Sequence, residues 1–268
     1  MSRSPRAERF YRVRVGILLT ILAGVLLYAL HDVQRRNERK DWDHTVDVAV
    51  VMLRMGAVDP AAIAILRSRL PELDARLAEE MRRYRPGARL HPFAFTMFGP
   101  VDVTAPPPTP AGDSWSDLAR QSYDSWSYLR PIDAAANLDA STYDARIYVV
   151  LRPPKSKTST MVEGASEEGG RVGTVEVELD STMSDFALFV VAHELFHTLG
   201  ATDKYDAAGR AMVPDGLVEP TRVPLYPQRF AELMARNRPL SATAEAVPAS
   251  LAELGVGATT AKEIGWAR

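Results

Sequence analysis

The chain has no cysteine in its 268 residues, which removes disulfide frameworks, thiolate metal sites and cysteine nucleophiles from consideration. That absence leaves the compartment open, because disulfide-free proteins work on either side of a membrane. It also lacks an excess of either charge: 32 basic residues stand against 34 acidic ones, a net charge of −2. No broad positive field of the kind nucleic acid requires follows from that balance, and no nucleic-acid partner is expected. No internal repeat is evident. Histidine is scarce, with five in all (His31, His44, His91, His193 and His197), so the placement of the last two is informative.

Those two bracket His193-Glu194-Leu195-Phe196-His197. On an α-helix, positions i and i+4 share a face, so both imidazoles can meet one metal ion, while Glu194 points to a neighbouring face and reaches a water on that ion. Chance would place this pattern in roughly one per cent of such sequences or fewer. The apolar run Phe186–Ala192 leads into it, so a helix is expected over Ser184 to Leu199, with Ser184 or Ser181 as N-cap. Gly200 then allows the chain to leave abruptly with positive φ. The plain alternative is a pair of core-edge histidines beside a solvated glutamate.

A mononuclear catalytic zinc takes three protein ligands and keeps one position for water. No histidine follows His197, so a third ligand downstream has to be a carboxylate. The run HELFHTLGATDKYD resembles the extended metzincin zinc-peptidase motif HExxHxxGxxH, with Asp203 in its last place. It is also similar to the motifs of immune inhibitor A-type and snapalysin-type peptidases, which carry aspartate there. Only His193 to Asp206 carry the resemblance closely. It implies an α+β, zincin-like fold: a twisted mixed sheet with an active-site helix, and a smaller, helical C-terminal subdomain. It further implies one catalytic Zn2+ on His193, His197 and Asp203, with Glu194 as general base and a protein or peptide substrate. Glu219 is the rival third ligand, because related zincins draw a glutamate from well beyond the helix. Asp206 and Asp215 also stay open, and that acidic cluster is an alternative Ca2+ site; Asp206 reads more simply as a turn residue. Metzincins place a methionine under the zinc, and Ala231–Asn237 offers Met234 for that turn, although Phe230, Leu233 and Met234 read equally well as the buried face of a short helix. Arg236 stands where some metzincins carry tyrosine, leaving Tyr205, Tyr226 and Arg236 as oxyanion-stabilising candidates.

At the other end, five arginines (Arg3, Arg6, Arg9, Arg12 and Arg14) precede an uncharged apolar run from Val15 to Leu30. We read residues 1–14 as a basic segment, 15–32 as a single-pass transmembrane anchor and 33–44 as a juxtamembrane linker. A signal peptide competes, but Ala29-Leu30-His31 makes a poor cleavage site. Four basic residues follow the run, so the positive-inside bias is slight, and an arginine-rich start places the C-terminal part outside the cytoplasmic membrane, periplasmic in a bacterium.

Residues 45–268 then form one domain, with an upper part 45–200 and a lower part 201–268. Strands are expected at Thr45–Leu53, His91–Val103 and Ala145–Leu151, and an edge strand beside the substrate at Val172–Leu179. Helices are expected at Pro60–Tyr84, interrupted near Pro71, and at Ser114–Leu138, packed through Trp115, Leu118, Tyr123, Trp126 and Leu129. Ala105–Pro110 and Pro153–Gly170 read as surface loops. Leu254–Lys262 resembles the hairpin of a helix-hairpin-helix motif, but with Glu253 and Glu263 beside it Ser250–Trp266 reads as terminal helices packed on the domain. Two functions from different classes compete: a membrane-anchored zinc metallopeptidase, and an inactive zincin-fold binding or assembly module with a structural metal.

Overall fold

A computed structural model describes residues 5–88, 91–108, 114–155, 162–166 and 169–267. They fall into two units, Met1–Asp41 and Trp42–Arg268. The first is one helix, α1 (Pro5–Asp41), whose stretch Phe10–Leu27 has a mean hydropathy of 1.9 and is the one helix among the described residues long and apolar enough to cross a membrane. Within the expected linker, residues 33–41 continue the helix, since Gln34-Arg35-Arg36-Asn37-Glu38-Arg39-Lys40 contains no breaker and Gln34 bonds Glu38 one turn on.

The second unit is built on a five-stranded sheet. Its strands are β1 (Val46–Arg54), β2 (Phe93–Asp102), β3 (Ala145–Arg152), β4 (Val162–Ser166) and β5 (Val172–Glu178). Their order is β2-β1-β3-β5-β4, with four strands parallel and β4 antiparallel to β5. The β1 run Val-Ala-Val-Val-Met-Leu is apolar at every position because both faces are covered. Val48, Val50, Met52, Ile147 and Val149 face α2 (Pro60–Tyr84) and α4 (Ser184–Thr198). Ala49, Val51, Leu53, Tyr148 and Val150 face the end of α3 (Trp115–Ala135) through Leu129 and Ile132.

Several expectations change. Val172–Glu178 is an inner strand, not the edge: part of the stretch read as a surface loop folds as β4 and covers it, while 156–161 and 167–168 lie outside the described residues. Pro71 does not interrupt α2. It sits on the exposed side, where the carbonyl it strands can meet water, and burial of Leu66, Leu70, Leu73 and Leu77 outweighs its cost of about 3 kcal/mol. Tyr123 and Trp126 are 65% and 55% exposed and pack, tilted, against each other rather than on the sheet, because only the last turns of α3 reach it; the side chains of Trp115 and Leu118 lie outside the described residues. Neither serine caps α4: Met183 occupies the N-cap and makes no side-chain cap bond. Beyond Gly200 the chain is not a helical subdomain. It holds two 3₁₀ turns, two pairs of two-residue strands, β6 (Ala231–Glu232) with β9 (Leu254–Gly255) and β7 (Arg238–Pro239) with β8 (Glu245–Ala246), and one six-residue helix, α5 (Ala258–Glu263). Fixed cross-links substitute for helices there, since its polar, proline-rich sequence carries no apolar periodicity.

Two of those links tie the C-terminal segment to the frame. Trp266 packs edge-on against Trp42 (5.8 Å between ring centroids) and Phe196 (5.4 Å), and Trp42 Nε1 donates to Ile264 O at 2.8 Å. Arg69 of α2 grips Asp185 at the start of α4 with two bonds of 2.7 Å, and Asp185 also accepts from Leu251 N. The Arg69 guanidinium, outweighing burial, holds the Asp185 carboxyl below the usual carboxylate range.

Replacing Trp266 with alanine empties a fully enclosed site, and equilibrium urea unfolding should register a loss of about 3–5 kcal/mol; a loss below about 1 kcal/mol would show that the cluster does not hold the domain closed. Because the folded pKa of Asp185 is depressed, its contribution is complete above about pH 4 and fades as pH falls through the folded value. An Asp185→Asn variant should therefore be less stable than the parent at neutral pH and approach it in acid, read as two converging curves of melting temperature against pH.

A candidate metal centre

Helix α4 runs straight from the core into the motif. Of its fifteen residues only Asp185 and His197 are not fully buried, so an apolar shaft fixes where the histidines stand. Their outer ring atoms are then locked by the backbone. His193 Nδ1 lies 2.9 Å from Leu233 O, and His197 Nδ1 lies 2.8 Å from Ala201 O. A carbonyl can only accept, so each Nδ1 carries the proton and each Nε2 presents a lone pair. The two Nε2 atoms are 3.1 Å apart, and Asp203 Oδ1 lies 3.2 Å from one and 3.3 Å from the other.

Three lone-pair donors thus face one point. Asp203 Oδ1 is buried and has no hydrogen-bond partner. In tetrahedral coordination with bonds of about 2.0–2.1 Å, donor atoms stand about 3.3 Å apart, which is close to this triangle. Two imidazoles and a carboxylate are also the donor chemistry zinc accepts, so the residues present fit that ion. Burial pushes the Asp203 carboxyl up, but a proton taken up at a facing Nε2 is donated to Oδ1, and that pairing more than reverses the effect and holds the carboxyl well below the usual range. For His197, burial pulls the ring down, and Asp203 with the charge of Glu194 outweighs it, raising its pKa above the usual value.

Gly200 makes this convergence possible. Its φ of +86° turns the chain off the helix, and Ala201 then bonds back to Phe196 O at 3.0 Å, which returns residue 203 to the face it left. The segment expected as the methionine turn runs beneath: Leu233–Ala235 is a 3₁₀ turn whose first residue supplies the carbonyl that locks His193, and Met234 is fully buried. Glu232 holds that turn, accepting from Met234 N (2.6 Å), Ala235 N (3.0 Å), Gly257 N (3.1 Å) and Thr260 Oγ1 (2.7 Å). Burial raises its carboxyl pKa.

The other candidates fall elsewhere. Glu219 is spent on an ion pair with Arg229 and is not part of the triangle. Asp206 closes a turn by accepting from Ala208 N and Arg210 N, and Asp215 accepts from Thr259 Oγ1, so the acidic residues do not converge on a calcium site. Tyr205 does reach the cleft that Asp203 lines, and burial, with Asp203 nearby, raises its phenol pKa. Tyr226 does not line the cleft.

That cleft, about 310 Å³, is lined by Gly164, Ser166, Glu194, His197, Thr202, Asp203 and Tyr205. Two of these were not legible in the sequence, because Gly164 and Ser166 gain their meaning only when β4 folds over α4. Ser166 Oγ donates to Glu194 Oε2 at 2.5 Å. At 164 a β-carbon would overlap the Glu194 carboxylate, and at 173 one would lie 3.2 Å from Glu194 Cβ. Glu194 is thus clasped between helix and sheet, 3% exposed, with Oε1 3.9 Å from His193 Nε2.

A Gly164→Ala chain should lose about 1–3 kcal/mol of stability while keeping its zinc, since the methyl displaces Glu194 and no ligand. Gly87→Ala, whose added carbon meets nothing within 4 Å, is the matched control. Equal thermal stability of the two variants would show that Glu194 is not confined by β4.

No known protein family matches the sequence, and no curated protein does. Among solved structures the chain is similar to an archaemetzincin from Methanopyrus kandleri, at 15% identity and a TM-score of 0.34, over 74% of this chain and 90% of that one. A likeness of that degree assigns neither a family nor an activity.

Proposed function

We propose that this chain is a zinc-dependent metallopeptidase, tethered to a membrane by the helix Phe10–Leu27, with the Trp42–Arg268 unit on the extracytoplasmic side. The observation that carries the reading is the triangle of His193 Nε2, His197 Nε2 and Asp203 Oδ1, 3.1–3.3 Å on each side, with the Glu194 carboxylate in the same cleft. The resemblance of His193–Asp206 to zinc-peptidase motifs points the same way. When bound, zinc would supply a Lewis acid that polarises a carbonyl and brings the pKa of water towards neutrality.

The chain's own residues supply the rest. His193, His197 and Asp203 would hold the ion. Glu194 would take a proton from the attacking water and deliver it to the leaving amine, with Ser166 steadying the oxygen not used. Tyr205, which lines the cleft with Glu194 and Asp203, is the donor assigned to developing negative charge. A peptide would lie extended along β4, the outermost strand on that side of the sheet.

One observation favours the competing reading of an inactive binding module. Glu194 is almost wholly covered and already accepts a hydrogen bond from Ser166. The Glu194→Gln variant separates the two. Full-length protein in mild detergent, loaded with one zinc per chain, is expected to cleave members of a peptide library, and the variant to keep its zinc while losing about 10²–10⁴-fold in rate. Unchanged cleavage by the variant would remove Glu194 from the reaction. A zinc-loaded parent that cleaves nothing would leave the binding module in place of the peptidase.

A further inference from the structure

Asp203 sits in a stretch, 201–204, that belongs to no helix or strand. Its two chain neighbours are nevertheless both bonded to a single carboxylate on α5. Glu263 Oε2 accepts from Thr202 N at 3.0 Å, and Oε1 from Thr202 Oγ1 at 2.9 Å. Both oxygens also accept from Lys204 Nζ, at 2.9 and 2.8 Å. Lys204 Nζ returns to Thr202 as well, reaching its carbonyl at 2.7 Å and its hydroxyl at 2.6 Å.

The Lys204 side chain is only 3% exposed, and Glu263 is its one carboxylate partner. A buried ammonium without its counter-charge is costly, so this pair resists separation. The backbone of Lys204 is pinned on both sides too: its N–H donates to Met234 O at 2.9 Å, and its carbonyl accepts from Met212 N at 2.8 Å. Residues 202 and 204 are therefore fixed from outside the metal centre, and the residue between them has little freedom left in where its carboxylate points.

Taking Asp203 as a zinc ligand, as proposed above, we infer that Glu263 is a positioning residue for that ligand, acting through Thr202 and Lys204. It sets the reach of Asp203 Oδ1 to the two imidazoles from sixty residues further along the chain. Glu263 touches neither ion nor substrate, and its effect on zinc runs wholly through Asp203.

The test is a double-variant cycle on zinc affinity, measured by competition with a chromophoric chelator on the full-length chain in mild detergent. Glu263→Gln is expected to weaken zinc binding by about 10–100-fold, the range for groups that orient a metal ligand, and Asp203→Ala to weaken it at least as much. In the Asp203→Ala background, adding Glu263→Gln should change the affinity less than threefold, because the ligand it orients is gone. A purely structural Glu263 would instead weaken binding equally in both backgrounds, and that additivity would overturn the inference. So would an unchanged affinity in Glu263→Gln. If Asp203→Ala itself leaves the affinity unchanged, Asp203 is no ligand, and the reading of the site fails together with the inference. Should Glu263→Gln not fold, Lys204→Met breaks the Lys204 half of the link while keeping the buried alkyl chain, leaves Glu263 its two bonds from Thr202, and carries the same expectations.

Discussion

Two backbone carbonyls, Leu233 O and Ala201 O, decide what this domain can hold. By accepting hydrogen bonds from the Nδ1–H groups of His193 and His197 they turn both Nε2 atoms inward, and with both rings neutral Asp203 Oδ1 completes a group of three acceptors with no donor among them. Such a group is self-repelling unless something positive occupies its centre. Much of the surrounding architecture serves to keep those carbonyls and that carboxylate in place. Gly200 returns the chain for Ala201, Glu232 fastens the 3₁₀ turn that carries Leu233, and the Lys204–Glu263 pair frames Asp203.

The parallel sheet explains why α4 can act as so rigid a support. With both faces of β1 and β3 covered, the helix is pressed against a surface that cannot yield, and its own sequence, Phe-Ala-Leu-Phe-Val-Val-Ala, offers no polar group that would pull it towards solvent. The cost of bringing His193 and Glu194 into such surroundings is offset by local partners, Leu233 O for one and Ser166 Oγ for the other.

What the sequence discloses follows from which forces are local. The four-residue spacing of the histidines, the apolar shaft before them and the exit at Gly200 are properties of consecutive residues, and the approach of Asp203 to the same point follows from them. The strands β1 and β3 are legible for a similar reason, as short runs of branched apolar residues. The edge of the sheet is not. Val172–Glu178 alternates like an edge strand, yet β4 covers it, and nothing in the mostly small residues of Val-Glu-Gly-Ala-Ser marks them as a strand until Glu194 needs room beside Gly164. Trp126 and Tyr123 mislead in the opposite sense, since aromatic residues on a helix signify a core only where another surface reaches them. The lower half, from Gly200 on, is held by single side chains bonding to distant backbone, which leave no periodic trace.

The hydrogen bond from Trp42 to Ile264 joins residues 222 positions apart, and Tyr84 and Glu80 reach Val256 across more than 170. In kinetic terms these are contacts of very high separation, added to a sheet in which β1, β2, β3 and β5 pair in parallel and only β4 and β5 form a hairpin. Contact order of that kind places folding among the slower events for a domain of this size. The aromatic seat of Phe196, next to His197, is filled only when the segment around Trp266 arrives, so the helix that carries both histidines is fully enclosed only once the two ends of the domain have met.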